Sequence, residues 1–366
     1  MNKHKIRYYV LSVLVAFVFL GIGTSPFIVA GASNSTQASS SHGVITTTLP
    51  GGRVVLSNSM NSGSSPDGML KVLASGQSDA QPMVLSGGYV YWYNYGNGQL
   101  NRVKETGGAV DTITTFSTSD GISFGIAVQG AYVYTSFDNY TYGLTAILKT
   151  KISNGATTTI ESSTVYVNYG VTTSSKYVFF VQTNGDIERM SFTGSGLTTI
   201  ATDPSTLPWQ VLYSSSYVYW YDLCTGQIGK VSQNGGKTTL LSPALADCGT
   251  AVSTGIEPFT IVGTHVYWTF NFVNSADVYN NSVDAVSTSG TGFKILYSTT
   301  SSFFGGVASY KTSVLFSNEA TSDMYSVPNT GGTPKLLYSG YTFLALGVVG
   351  KNVYATAETD VVTGKA

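Results

Sequence analysis

The chain has 366 residues, with 18 Lys and Arg against 19 Asp and Glu, only 10% charged residues and 13% aromatic ones. That length can bury a sizeable core, but the absence of a basic surplus argues against a nucleic-acid partner. Two cysteines and three histidines leave a disulfide-dense scaffold, a His-based metal site and a Ser-His-Asp triad all short of parts.

The first 32 residues read as a targeting segment. Lys3, Lys5 and Arg7 precede an apolar run from Val10 to Ile22, and Ala30-Gly31-Ala32 supplies small residues of the cleavage-site kind. Uncleaved, the stretch from Val10 to Ala32 is long enough to span a bilayer, so residues 1–32 are a signal peptide or an N-terminal membrane anchor. Residues 33–43, rich in Ser, Thr and Ala, read as a flexible linker that includes the sequon Asn34-Ser35-Thr36. Removing the leader leaves fifteen basic against nineteen acidic residues. The expected location is extracellular or tethered to the cell surface, with the membrane involved only through that anchor. Few charges also suit an acidic medium, where carboxylates would be neutral, as well as secreted all-β proteins in general.

From residue 44 a short phrase recurs seven times: Val90-Tyr91-Trp92-Tyr93, Val133-Tyr134-Thr135, Val178-Phe179-Phe180, Val218-Tyr219-Trp220-Tyr221, Val266-Tyr267-Trp268-Thr269, Val314-Leu315-Phe316 and Val353-Tyr354-Ala355. The steps between successive valines are 43, 45, 40, 48, 48 and 39 residues, the period of one four-stranded propeller blade. Each period continues with a polar loop, an alternating run, a Gly-rich turn and a further run, as in Gln99 to Val103, Gly107-Gly108 and Ala109 to Ile113. Paired Gly between period-2 runs signals a hairpin. Small and β-branched runs such as Pro82 to Ser86, Gly125 to Val128 and Ala345 to Val349 precede the Val-Tyr strand and suit an innermost position with both faces covered.

The seventh repeat has only thirteen residues after Val353, so its outer hairpin is expected to be missing or nearly so. Met69 to Ala74, worded like the outer runs Phe293 to Tyr297 and Lys335 to Tyr338, is the expected outer strand of a blade shared between the two ends, with Arg53 to Leu56 as its third strand. The fold expected for residues 44–366 is an all-β, seven-bladed β-propeller closed by that composite blade, with six blades and a terminal appendage as the alternative.

Loops between second and third strands emerge on the same face as the connections from one blade to the next. Cys224 and Cys248 both fall there, which makes a disulfide between them geometrically plausible. Asp138, Asp222 and Asp277 also fall there, and a carboxylate pair could serve a glycosidase, although loop Asp residues more often form turns. Tyr95, Phe137, Tyr140, Tyr142, Trp209, Tyr221, Phe272 and Tyr279 are placed on this loop face, where flat rings can stack on sugars or anchor a protein. Of these, Tyr140, Trp209, Tyr221 and Phe272 are the candidate ligand-binding residues. Asn139-Tyr140-Thr141 and Asn280-Asn281-Ser282 are sequons, which makes Asn139 and Asn280, with Asn34, glycosylation candidates. No catalytic residue, metal site or cofactor is assigned.

Tyr91-Trp92, Tyr219-Trp220 and Tyr267-Trp268, each followed by a hairpin turn, resemble the Tyr-Trp-Thr-Asp propellers of lipoprotein receptors and, more closely, secreted bacterial and archaeal propellers with Val-Tyr-Trp repeats. Tyr219-Trp220-Tyr221-Asp222 keeps the Asp of that motif, and Tyr267-Trp268-Thr269-Phe270 keeps the Thr. The resemblance implies extracellular recognition. The function expected is therefore non-catalytic binding of a glycan or protein partner. A carbohydrate-active hydrolase or lyase and a structural component of the cell envelope are the alternatives.

Overall fold

The computed structural model describes residues 45–49, 53–57, 70–117, 122–139, 144–163, 167–182, 184–203, 207–246, 259–273, 279–357 and 360–365. These residues contain strands and turns, and none of them forms a helix long and apolar enough to cross a membrane. The leader, the linker and Asn34 lie outside the described residues.

Seven four-stranded antiparallel sheets follow one another along the chain. Sheet one is Ala80–Ser86, Tyr89–Asn94, Gln99–Lys104 and Asp111–Thr115, paired in that order, and the next five repeat the scheme. Their innermost strands are Ala80–Ser86, Ile122–Gln129, Val167–Thr173, Pro208–Ser214, Phe259–Val262, Phe304–Tyr310 and Phe343–Val349. Each packs against the next, and the last returns to the first. Together they line an axial cavity of about 270 Å³. Close approach at the axis is set by residue size, since a Cβ on Gly170 would stand 2.7 Å from the Val211 nitrogen of the following inner strand.

The seventh sheet joins the two ends of the chain in the order Phe343–Val349, Asn352–Ala357, Asp360–Lys365 and Lys71–Ser75. Lys71 pairs with Thr363 and Ser75 with Asp360. The outer strand is thus where the wording places it, but the third strand is not. Asp360–Lys365 takes that position, and Arg53–Ser57 instead pairs with Ile45–Leu49 in a separate two-stranded sheet. The thirteen residues after Val353 suffice for one more strand, which shortens the missing hairpin to a single missing strand.

The recurrent phrase forms the second strand of every sheet, and both of its faces are covered. Val218 and Trp220 pack with Phe179 and Val181 of sheet three, whereas Tyr219 and Tyr221 pack with Phe259, Val266 and Trp268 of sheet five. Burial of these rings at about 25 cal/mol per Å² of apolar area is the main force between sheets.

Cations add a second, directional tie. Lys149 sits 4.3 Å over the Tyr132 ring and donates to the Phe192 carbonyl of sheet three at 3.0 Å. Arg189 sits 4.7 Å over Tyr177 and donates to the Gln233 carbonyl of sheet four at 3.0 Å. Lys230 lies over Tyr217 and donates to Thr288 of sheet five, and Lys71 carries the shared sheet to the Thr106 carbonyl of sheet one. Each tie reaches from one sheet to the end of the third strand, or the turn after it, in the next. A positive side chain stacked on a ring and bonded to a carbonyl gains on both counts.

Candidate loop-face site

The strands of sheets two and five are the longest in the fold on the face opposite the Gly-rich turns. Tyr132–Asn139 with Leu144–Lys151, and His265–Val273 with Tyr279–Ser287, extend as hairpins beyond their neighbours. The first carries Asn139, whose backbone ends its strand, and the second carries Asn280, which is exposed. The rest of the second sequon is part of the fold. Asn281 accepts the Phe272 amide hydrogen at 2.9 Å and donates to the Ser302 carbonyl, and Ser282 donates to Asp284 at 2.6 Å.

Three of the four candidate ligand-binding residues converge on one place, the loop end of the seam between sheets four and five. Trp209, at the start of inner strand Pro208–Ser214, and Phe272, near the end of His265–Val273, are half-buried against the cluster that contains Tyr221, Trp268 and Phe270. Phe272 stacks on Phe270 with ring centres 6.3 Å apart. Leu223, Leu245 and Ala246 from the adjoining loops are half-buried against the same cluster. Tyr221 itself is 0% exposed. Its assignment to the binding surface is corrected: it belongs to the core, because a strand sandwiched between two sheets buries every residue rather than alternate ones. Tyr140 lies outside the described residues. Trp209 and Phe272 lie on strand ends rather than in loops.

Polar groups secure the backbone here. Asp222 is 1% exposed, and its Oδ1 accepts the amide hydrogen of Thr225 at 2.6 Å and its hydroxyl at 2.7 Å, a side-chain-to-backbone bond that starts the loop. The loop is pinned further by Leu223 N–H to the Leu207 carbonyl and Leu245 N–H to the Thr225 carbonyl. Cys224 is buried within it, and Cys248 lies outside the described residues. Asn318 ends its own second strand in the same way, accepting from the Ala320 amide.

Asp138 differs from these turn formers. Burial pushes its carboxyl up to about 6, and its Oδ1 has no hydrogen-bond partner. Asp277 lies outside the described residues. Among the described residues, no cluster of His, Cys, Asp or Glu could hold a metal ion. Carboxyls missed by the sequence reading are Glu188 and Asp284, both deep in third strands and both raised by burial, Asp284 to about 7. Nothing in the alternation of their strands distinguishes a buried third-strand position from an exposed one.

No family model matches the chain, and no curated protein matches it. Solved structures do. Virginiamycin B lyase from Staphylococcus aureus is 12% identical with a TM-score of 0.59, over 82% of this chain and 100% of that one. YCF48 bound to D1 peptide is 9% identical with a TM-score of 0.58, over 82% and 94%. The beta-propeller domain of Myceliophteria thermophila Cps50 (Swd1) is 8% identical with a TM-score of 0.52, over 79% and 99%. The chain is a β-propeller. At these identities the likeness carries the fold of the propeller and nothing of its chemistry.

Proposed function

We propose that the chain is a secreted or surface-tethered, seven-bladed propeller that binds a protein or glycan partner on its loop face without transforming it. The observation that carries this reading is the convergence of Trp209, Leu223, Leu245 and Phe272 at the loop end of one seam, half-buried and therefore partly available. Aromatic and aliphatic side chains on a rigid support are the usual anchors of recognition. The opposite face offers tight turns with little side-chain surface. One similar structure was solved as a complex with a peptide, which supports a protein partner, and another is a lyase, which keeps the enzymatic alternative in view.

A glycan on Asn280 would have to be attached before its strand pairs, because the sequon's Ser282 is buried once folded. Within the enzymatic reading, Asp138 is the residue to test, since a carboxyl raised to about 6 with a spare oxygen can exchange a proton near neutrality.

The deciding experiment incubates the pure protein with a panel of polysaccharides and with peptides from its own source, and assays retention and product release together. Retention without release is the expected result. Trp209→Ala and Phe272→Ala should each weaken the retained partner by about 1–3 kcal/mol. Product release that Asp138→Asn abolishes would establish the enzyme instead, and neither retention nor release would favour the structural role.

A further inference from the structure

The third strands of three sheets carry a buried polar side chain at one register position, opposite the fourth residue of the second strand. Asn101 stands opposite Trp92, Glu188 opposite Phe180 and Asp284 opposite Trp268. All three are 5% exposed or less. In sheet one the occupant is a neutral amide, which contacts Gln77. In the other two it is a carboxyl to which no cation is bonded. Glu188 accepts the Thr199 hydroxyl at 2.7 Å through Oε1, and its Oε2 has no partner. Asp284 accepts the Ser282 hydroxyl at 2.6 Å through Oδ2, and its Oδ1 has no partner.

No cation bonds to either carboxyl. Asp284 faces sheet four from between His265–Val273 and Lys294–Thr299. His265 and Lys294 on those strands, and Tyr219, Tyr221, Asp222, Cys224 and Lys230 across the seam, make no bond to its two oxygens. Lys230 is held by the Tyr217 ring and the Thr288 carbonyl. Glu188 faces sheet two, where Glu161 stands on the outer strand, and Asp186 flanks it on its own strand; both are further carboxyls. Of the nearby cations, Lys149 and Arg189 are bonded to the Phe192 and Gln233 carbonyls, and Lys151 is exposed. Buried carboxylates with a single donor and no cation are costly, whereas neutral acids fill the same position as the amide of Asn101 does.

We propose that Glu188 and Asp284 are carried as neutral acids, so that the propeller is built for acidic surroundings and loosens as the medium turns alkaline. Burial raises both groups above their unfolded values, Asp284 from 3.8 to about 7. For a raised carboxyl the folded state holds the proton more tightly than the unfolded one. The stabilisation is therefore fully present below the unfolded value and is lost as pH rises through the folded value, from about 4 to about 7 for Asp284.

The test is equilibrium unfolding of the whole chain between about pH 4 and pH 8. The folded-to-unfolded ratio should fall with rising pH, by up to about tenfold per pH unit for each carboxyl titrating in its window. Asp284→Asn and Glu188→Gln should flatten that fall and be more stable than wild type at the alkaline end. A flat or rising wild-type profile, or variants equally weakened at both ends, would overturn the proposal. Should a variant fail to fold, side-chain carboxyl resonances of isotope-labelled wild type decide the matter. An Asp284 carboxyl still protonated near pH 6 supports it, and an Asp284 carboxyl fully ionised by about pH 5 overturns it.

Discussion

At the scale of single residues, the turns between third and fourth strands do more than reverse the chain. Gly194 has φ +84°, and a Cβ there would stand 2.1 Å from the Ile160 carbonyl oxygen on the outer strand of the preceding sheet. Gly87 has φ +59° with nothing near its missing Cβ. Gly87→Ala should therefore cost about 1 kcal/mol for backbone strain alone, and Gly194→Ala about 2–4 kcal/mol, because it also pushes two sheets apart. Denaturant midpoints of the two variants check this, and equal losses would contradict it. Their glycines mark these turns in the sequence as hairpins only. Their second role depends on a neighbour about 35 residues away, which local wording does not encode. The sequence places Tyr221 in the loop after the second strand, but that strand runs on through Asp222, so the ring stays between two sheets.

At the scale of elements, strand identity and order were legible, because period-2 runs and Gly-rich turns are short-range signals. Pairing at the chain ends was legible only in part. Arg53-Val54-Val55-Leu56 and Asp360-Val361-Val362-Thr363 are worded alike, and only the register with Asn352–Ala357 gives the third position to the second of them. The loop that carries Leu223 and the connection that carries Leu245 meet at the candidate site, and the bridge we propose between Cys224 and Cys248 would fasten one to the other. A loop of about 24 residues closed this way gains roughly 3 kcal/mol in the chain-entropy model. Thiol labelling of the unfolded, unreduced protein should find no free cysteine. Stoichiometric labelling of both would remove the bridge and leave the loop held by its hydrogen bonds alone.

For the whole molecule, seam packing makes stability a collective property, since every second strand is covered by both neighbouring sheets and the cationic ties run from sheet to sheet in the same direction. A ring of this kind depends on its last joint. Lys71–Ser75 supplies that joint twice over: it pairs with Asp360–Lys365, and Lys71 bonds to Thr106 of sheet one. Without it the strand from the chain end presents an unpaired edge, which templates association. The most direct measurement compares unfolding and solution size of a chain beginning at Gly43 with one beginning at Pro82. Closure by the N-terminal strand predicts a cooperative, monomeric transition for the first, and aggregation or a broadened transition at lower denaturant for the second. Equal stability and equal size of the two would contradict it.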